Sequence, residues 1–382
     1  MQITQDVRYI GVNDHNIDLF EGQYTVPNGM TYNSYAIIDE KIAILDTVDA
    51  AFGEEWMGNI RQLLGNKAPD YLVVHHMEPD HSANILLFAN KYPNSVIVAS
   101  VKAFSVMQNF FGTDFSDRRI VVGEGDTLSL GKHTLTFITA PMIHWPEVIM
   151  SYDSTDKILF SADAFGKFGA LDRDEEWIDE ARRYYIGIVG KYGAQVQSLL
   201  RKAIALDIKI ICSLHGPVLN KDISRYVALY NTWSSYTPED NGILIAYASI
   251  YGNTKKAALK LCELLREKGA LVEAVDLART DISEATAKAF QHKKLVLASS
   301  TYNAGVFPPM REFLDHLTER NFQNRTVALI ENGSWAPMAA KVMSGTLEKC
   351  KNLTYAETTV TLRSAVNDET IKSLEKLADE LI

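Results

Sequence analysis

The sequence predicts an α/β chain of two domains, a β-rich N-terminal sandwich followed by a doubly wound parallel sheet. Three observations point there. Short apolar, β-like runs separated by turns fill the chain to about residue 240. A stretch of turn formers, Ser234-Ser235-Tyr236-Thr237-Pro238-Glu239-Asp240-Asn241-Gly242, then interrupts the pattern. Beyond it, strand, loop and helix alternate strictly, the signature of βα units on a parallel sheet. A length of 382 residues independently favours two cores over one.

In chain order, strands are expected at residues 33–38, 42–45, 71–74, 96–99, 135–138 and 157–160, each a brief apolar run bounded by polar residues. Helices are expected outside them at 54–64, 82–92, 178–191 and 194–206. The boundary is set in the turn-rich segment, giving domains 1–240 and 243–382. The second domain then reads as strand 243–248, helix 254–268 closed by Gly269, strand 271–277, strand 295–299, helix 310–320, strand 327–330, helix 338–349 and helix 368–382.

Composition narrows the function. The net charge of −10 is spread along the chain without a Lys/Arg run, which argues against nucleic-acid and membrane-surface partners. Cys212, Cys262 and Cys350 are far apart and form no CxxC pair, so neither a disulfide framework nor a thiolate iron site is expected. No basic head precedes an apolar segment at the N-terminus, and no apolar run approaches the ~20 residues of a membrane span. A cytoplasmic enzyme is the expectation.

The densest chemistry lies at His76-Met77-Glu78-Pro79-Asp80-His81, four metal-capable side chains directly after an apolar run. Three more metal-capable residues follow the ends of apolar runs: His144, Asp163 and His215. Strand ends converge on a common edge of a sandwich, so these distant segments are expected to meet. With Asp163 bridging, one ion takes His76, Glu78 and His144, and the other Asp80, His81 and His215. Two imidazoles and one carboxylate per ion favour non-haem iron, whereas zinc would more naturally find a third imidazole at Glu78. His75 is expected to point away from the site. His15, His133, His292 and His316 read as structural or solvent-facing.

A second site is expected after the apolar strand 243–248. There Ser249-Ile250-Tyr251-Gly252-Asn253-Thr254 leads into a helix, a turn whose amides and helix N-terminus favour phosphate. No Walker lysine is present, so a mononucleotide phosphate is expected rather than a nucleoside triphosphate. Two later loops join it: Ser300-Thr301-Tyr302-Asn303-Ala304-Gly305 and Glu331-Asn332-Gly333-Ser334-Trp335-Ala336. Small polar groups with Tyr302 and Trp335 suit the isoalloxazine ring of FMN.

With both constellations in hand, the chain resembles the flavodiiron proteins over essentially its whole length. Its first segment is similar to a metallo-β-lactamase-type αββα sandwich in which His-x-Glu-x-Asp-His, at His76 to His81, replaces His-x-His-x-Asp-His. Its last segment is similar to flavodoxin. The resemblance implies two non-haem iron ions, FMN, and reduction of dioxygen to water or of nitric oxide to nitrous oxide. It further implies the minimal two-domain class, an external electron donor such as rubredoxin, and a head-to-tail homodimer or a dimer of such dimers, with the flavin of one subunit facing the irons of the other. Relatives often carry glycine near Ala83, where a local packing change is expected. Relatives also place a tyrosine beside the substrate pocket, which corresponds to Tyr184 or Tyr185, with Tyr185 the choice made here. The main rival is a zinc hydrolase with an appended flavodoxin-like module. A third reading is an electron carrier whose metal domain is only structural.

Overall fold

A computed structural model describes all 382 residues, which divide into two compact units. One comprises Met1–Tyr185 with Ala194–Asn231, the other Ile186–Gly193 with Thr232–Ile382. The division thus falls before the turn-rich stretch. Helix Ile223–Ser234 runs into that stretch, strand Asp240–Ala248 begins inside it, and the short segment 186–193 groups with the second unit.

Two facing sheets build the first unit. The larger runs Val7–Tyr9, Tyr35–Ile38, Ile42–Leu45, Tyr71–Val73, Val96–Ala99 and Arg119–Val121, antiparallel at first and parallel from Ile42–Leu45 onward. The smaller runs Thr127–Ser129, Thr134–Thr139, Ile149–Asp153, Ile158–Phe160 and Ile210–Cys212. Alternation along the strands aims Tyr35, Ile37, Leu45 and Val73 of one sheet at Leu135, Phe137, Ile158 and Phe160 of the other, and all of these are buried. Each such side chain contributes about 1.5–3 kcal/mol of transfer free energy. Helices Gly53–Leu64, Ile85–Lys91 and Val101–Phe111 have apolar residues buried on one side, as an outer layer requires.

Two expected helices are interrupted. The helix expected at 82–92 spans only Ile85–Lys91, and Ser82 ends a separate short helix, Pro79–Ser82, because Asn84 turns its amide to the carbonyls of Val48 and Asp49. Residues 178–191 form Trp177–Tyr184 and then a wider π-type turn at Tyr185–Val189.

The second unit is a parallel sheet whose order in space is Val272–Asp276, Asp240–Ala248, His292–Tyr302, Thr326–Asn332, with Thr354–Tyr355 and Val360–Leu362 beside the last. This is the 2-1-3-4-5 order of doubly wound sheets, and ligands bind where that order reverses. Helices Asn253–Glu267 and Asp368–Leu381 bury Leu261, Leu265, Leu374, Leu377 and Leu381 against the sheet.

Candidate metal centre and flavin cavity

Sheet register explains why four distant segments share one edge of the sandwich. Ile149–Asp153 is antiparallel to Ile158–Phe160, so the start of the first lies beside the end of the second. Ile210–Cys212 is parallel to Ile158–Phe160 and ends at the same edge. Across the seam the amide of Ile149 donates to the carbonyl of His75 at 3.1 Å, joining the loop of His144 to the loop of His76. The loop of His215 is held by Asn33, whose amide donates to the carbonyls of Ser213 and Gly216 at 2.8 Å each.

These contacts gather His76, Glu78, His144 and Asp163 into one group and Asp80, His81 and His215 into another, each with donor atoms mutually within 4.8 Å. In the first group, Glu78 Oε2 lies 2.9 Å from His144 Nε2 and 3.3 Å from His76 Nε2. In the second, Asp80 Oδ2 lies 3.3 Å from both His81 Nε2 and His215 Nε2, which are themselves 3.0 Å apart. Asp163 reaches both groups. Its Oδ2 lies 3.4 Å from His76 Nε2 and 3.3 Å from His144 Nε2, and its Oδ1 lies 3.3 Å from His81 Nε2.

The donor set fits a pair of divalent cations. Asp163 is fully buried and Asp80 nearly so, yet none of their four carboxylate oxygens has a hydrogen-bond partner. Buried anions left so cost several kcal/mol each unless a cation compensates them. Two nitrogens at ~2.1 Å from one ion and at right angles to each other lie about 3.0 Å apart, which is the spacing His81 and His215 already have. The field points the same way. Burial disfavours a charged His76, but the facing Asp163, Glu147 and Glu78 outweigh it and raise its pKa well above the usual value. His144 is likewise raised to about 9 against its own desolvation, through Asp163 and Glu78. Burial would raise Asp163, and the surrounding imidazoles instead hold it well below the carboxylate range.

The surroundings include residues that sequence reasoning missed. Glu147 Oε1 lies 2.7 Å from His76 Nδ1 and 2.9 Å from the amide of Met77. The carbonyl of Thr31 receives His215 Nδ1 at 2.6 Å. An acid three residues beyond His144 was the one available signal for Glu147; a backbone carbonyl leaves none. His75 is turned away between Asp46 and Ser151. His133 gathers with Asp153 and Asp156 in a third cluster, but both its ring nitrogens already meet carboxylates, of Asp153 and Asp6. Ala83, where relatives often carry glycine, caps the Pro79–Ser82 helix and is no donor.

The structure places the two tyrosines differently. The ring of Tyr184 meets His215 at 5.5 Å between centroids, whereas Tyr185 packs on Tyr230 at 5.0 Å. Successive helical residues point about 100° apart, so only one of the pair can face the metal groups.

In the second unit, a cavity of about 620 Å³ opens at the carboxyl ends of the strands. Ser249, Ile250, Tyr251, Asn253, Thr254, Thr301, Asn303, Ala304, Ser334 and Trp335 line it, together with Ser300, Asn332, Gly333, Ala336, Met338 and Ser364. Gly252 does not line it; its amide closes the loop onto Ser249 Oγ at 3.1 Å, and its φ of +89° suits glycine. Tyr302 and Gly305 border a neighbouring groove instead, because residues 301–302 pair back on Gly305–Val306 as a hairpin. Ser364 was not foreseen; its chain returns from Val360–Leu362 to meet Ser334 Oγ at 2.6 Å. Hydroxyls and amides at the start of the helix Asn253–Glu267, with a wide polar and aromatic mouth, fit a phosphate-bearing flavin.

Comparison with known proteins agrees with both halves. Residues 30–216 match the family described as ODP family beta lactamase, and residues 245–353 match flavodoxin. The chain is 30% identical over 323 residues to an uncharacterized protein of Methanocaldococcus jannaschii, covering 83% of this chain and 81% of that one. It is 29% identical over 390 residues to a nitric oxide reductase of Moorella thermoacetica, covering 99% and 97%. Among solved structures, the rubredoxin oxygen:oxidoreductase of Desulfovibrio gigas aligns with a TM-score of 0.92 at 26% identity, covering 100% of this chain and 97% of that one. The flavodiiron protein of Giardia intestinalis gives the same score and identity, covering 100% and 95%.

Proposed function

The chain belongs to the flavodiiron protein family, and from that premise we propose that His76, Glu78 and His144 hold one iron, Asp80, His81 and His215 a second, and Asp163 both. It is an FMN- and diiron-dependent oxidoreductase that reduces dioxygen to water or nitric oxide to nitrous oxide. The observation that carries the ligand assignment is the split carboxylate of Asp163, which turns one oxygen to each group of donors. Glu78 standing where a third imidazole would favour zinc supports iron over the hydrolase reading.

When bound, the ferrous pair and reduced FMN supply the electrons; the protein orients and encloses them. Carboxylates and imidazoles from four loops fix the ions. Rings of Phe20, Tyr32 and Tyr184 close around His215 and keep water from that side. In the second unit the turn at Ser249 to Thr254 takes the FMN phosphate, and Thr301, Asn303, Ala304, Ser334 and Trp335 take the ring system. Residues 1–240 and 243–382 remain our proposed functional domains.

Electrons come from a donor of the rubredoxin type, in keeping with the name of the Desulfovibrio relative. Tyr251 is 94% and Trp335 89% exposed at the flavin cavity, large apolar surfaces that a second copy of the chain would cover. A head-to-tail homodimer, alone or paired as a dimer of dimers, is the assembly we propose. No helix is long and apolar enough to cross a membrane, and the cytoplasm is the compartment we propose.

The test is direct. Protein purified without added metal is assayed for iron and flavin, reduced anaerobically, and mixed with dioxygen or nitric oxide. Rapid flavin reoxidation with gas consumption is expected. Iron- and FMN-loaded protein that ignores both gases, or an active protein holding zinc alone, would overturn the reading.

A further inference from the structure

We infer that Glu147 is a positioning residue for the reaction, one that sets the donor strength of His76 and so makes the two ion positions chemically unequal. The inference rests on the iron-pair reading above. Glu147 is only 2% exposed, and its Oε1 lies between His76 Nδ1 at 2.7 Å and the Met77 amide at 2.9 Å. Accepting the Nδ1 proton leaves the Nε2 lone pair of His76 aimed at Glu78 and Asp163. The other group has no such support. There His215 Nδ1 meets the neutral carbonyl of Thr31 at 2.6 Å, and His81 Nδ1 is buried without a hydrogen-bond partner.

A hydrogen bond to a carboxylate is roughly twice as strong as one to a neutral acceptor, and it makes the imidazole a better donor to a metal. Among His76, His81 and His215, therefore, His76 alone carries a charged support, and its ion is the more tightly held. The carboxylate is not needed to anchor its own loop. Ser100 Oγ donates to the Glu147 carbonyl at 2.8 Å, and the Ala140 amide to the Val148 carbonyl at 3.0 Å.

The test is Glu147→Gln in the full FMN-loaded chain, which keeps an oxygen acceptor and removes the charge. Ferrous iron is titrated anaerobically against a competing chelator at one fixed pH, and iron-57 samples are followed by Mössbauer spectroscopy. The tighter binding step should weaken about 10–100-fold, the weaker step should move less than about threefold, and one of two spectral components should shift. Equal weakening of both steps, or an unchanged titration and spectrum, overturns the inference while leaving the iron pair intact. A wild-type chain that binds no iron pair overturns this and the parent reading together. Should Glu147→Gln not fold, Glu147→Asp, which draws the carboxylate back by one methylene, is read by the same two measurements and against the same outcomes.

Discussion

Asp163 Oδ1 lies 3.3 Å from His81 Nε2 while the other oxygen of the same carboxylate faces His76, so one buried side chain spans both groups of donors. Asp163→Asn preserves shape and removes the charge that two cations share. Bound iron should fall and gas consumption should drop by roughly 100-fold or more, with FMN retained because its cavity is built from residues of the other unit. Iron analysis, the flavin spectrum and gas electrodes on the same sample check this. A variant with full iron and full turnover would remove the bridging role.

Tyr184 and Tyr185 offer a paired comparison. Tyr184→Phe keeps the ring against His215 and deletes one hydroxyl from the metal side, and a loss of about tenfold in turnover is expected with iron content unchanged. Tyr185→Phe should leave turnover within about twofold, since that ring packs on Tyr230. The reverse ranking would favour Tyr185, the choice made from the sequence.

Gly252 tests the phosphate turn. Its φ of +89° costs an alanine about 1–2 kcal/mol even though no neighbour lies within 4 Å of an added Cβ. Gly252→Ala should therefore weaken FMN binding by about 5–30-fold, read from flavin fluorescence on reconstitution, and leave bound iron unaltered. Unchanged flavin affinity would show that the turn does not hold the phosphate.

A pH dependence follows from His292, whose ring nitrogens meet Asp240 at 2.7 Å and Glu273 at 2.8 Å. Burial lowers its pKa, but the two carboxylates prevail and raise it. Its contribution is then complete below the unfolded value of 6.5 and is lost as pH rises through the higher folded value. Glu273 runs oppositely. Hydrogen bonding by His292, against desolvation, brings it to about 2, so its share is complete above 4.5 and fades as pH falls toward 2. Allowing for partial exposure, that share is on the order of 1–2 kcal/mol. In melts of the FMN-loaded chain, the difference between wild type and His292→Asn should be largest between these limits and shrink on either side. A difference independent of pH would contradict the assignment.

Much of this was legible in the sequence for a local reason. Six consecutive residues carry four of the proposed ligands, and His144, Asp163 and His215 each follow an apolar run that becomes, or leads into, a strand edge. The flavin loops likewise sit where strand becomes helix. What stayed hidden depends on which loop crosses which. Glu147 acquires its role only because the seam between sheets brings it to His76, and Ser364 only because Val360–Leu362 pairs beside Thr326–Asn332. The break at Asn84 was likewise invisible, since the carbonyls it captures lie some 35 residues earlier, at Val48 and Asp49. Tyr184 and Tyr185 are adjacent and alike, and only the rotation of the helix separates them.

The amide of Asn33 grips the carbonyls of Ser213 and Gly216, closing a span of 183 residues around the loop that presents His215. Closing so long a span is entropically costly, and it adds to the shorter closure by which Ile210–Cys212 pairs beside Ile158–Phe160. A nascent chain still lacking its residues beyond 210 therefore has no complete pocket to offer, however well its first strands have paired. The proposed donors of one ion, His76, Glu78, His144 and Asp163, all precede residue 164, so the two ion positions are completed at different points in the chain's synthesis.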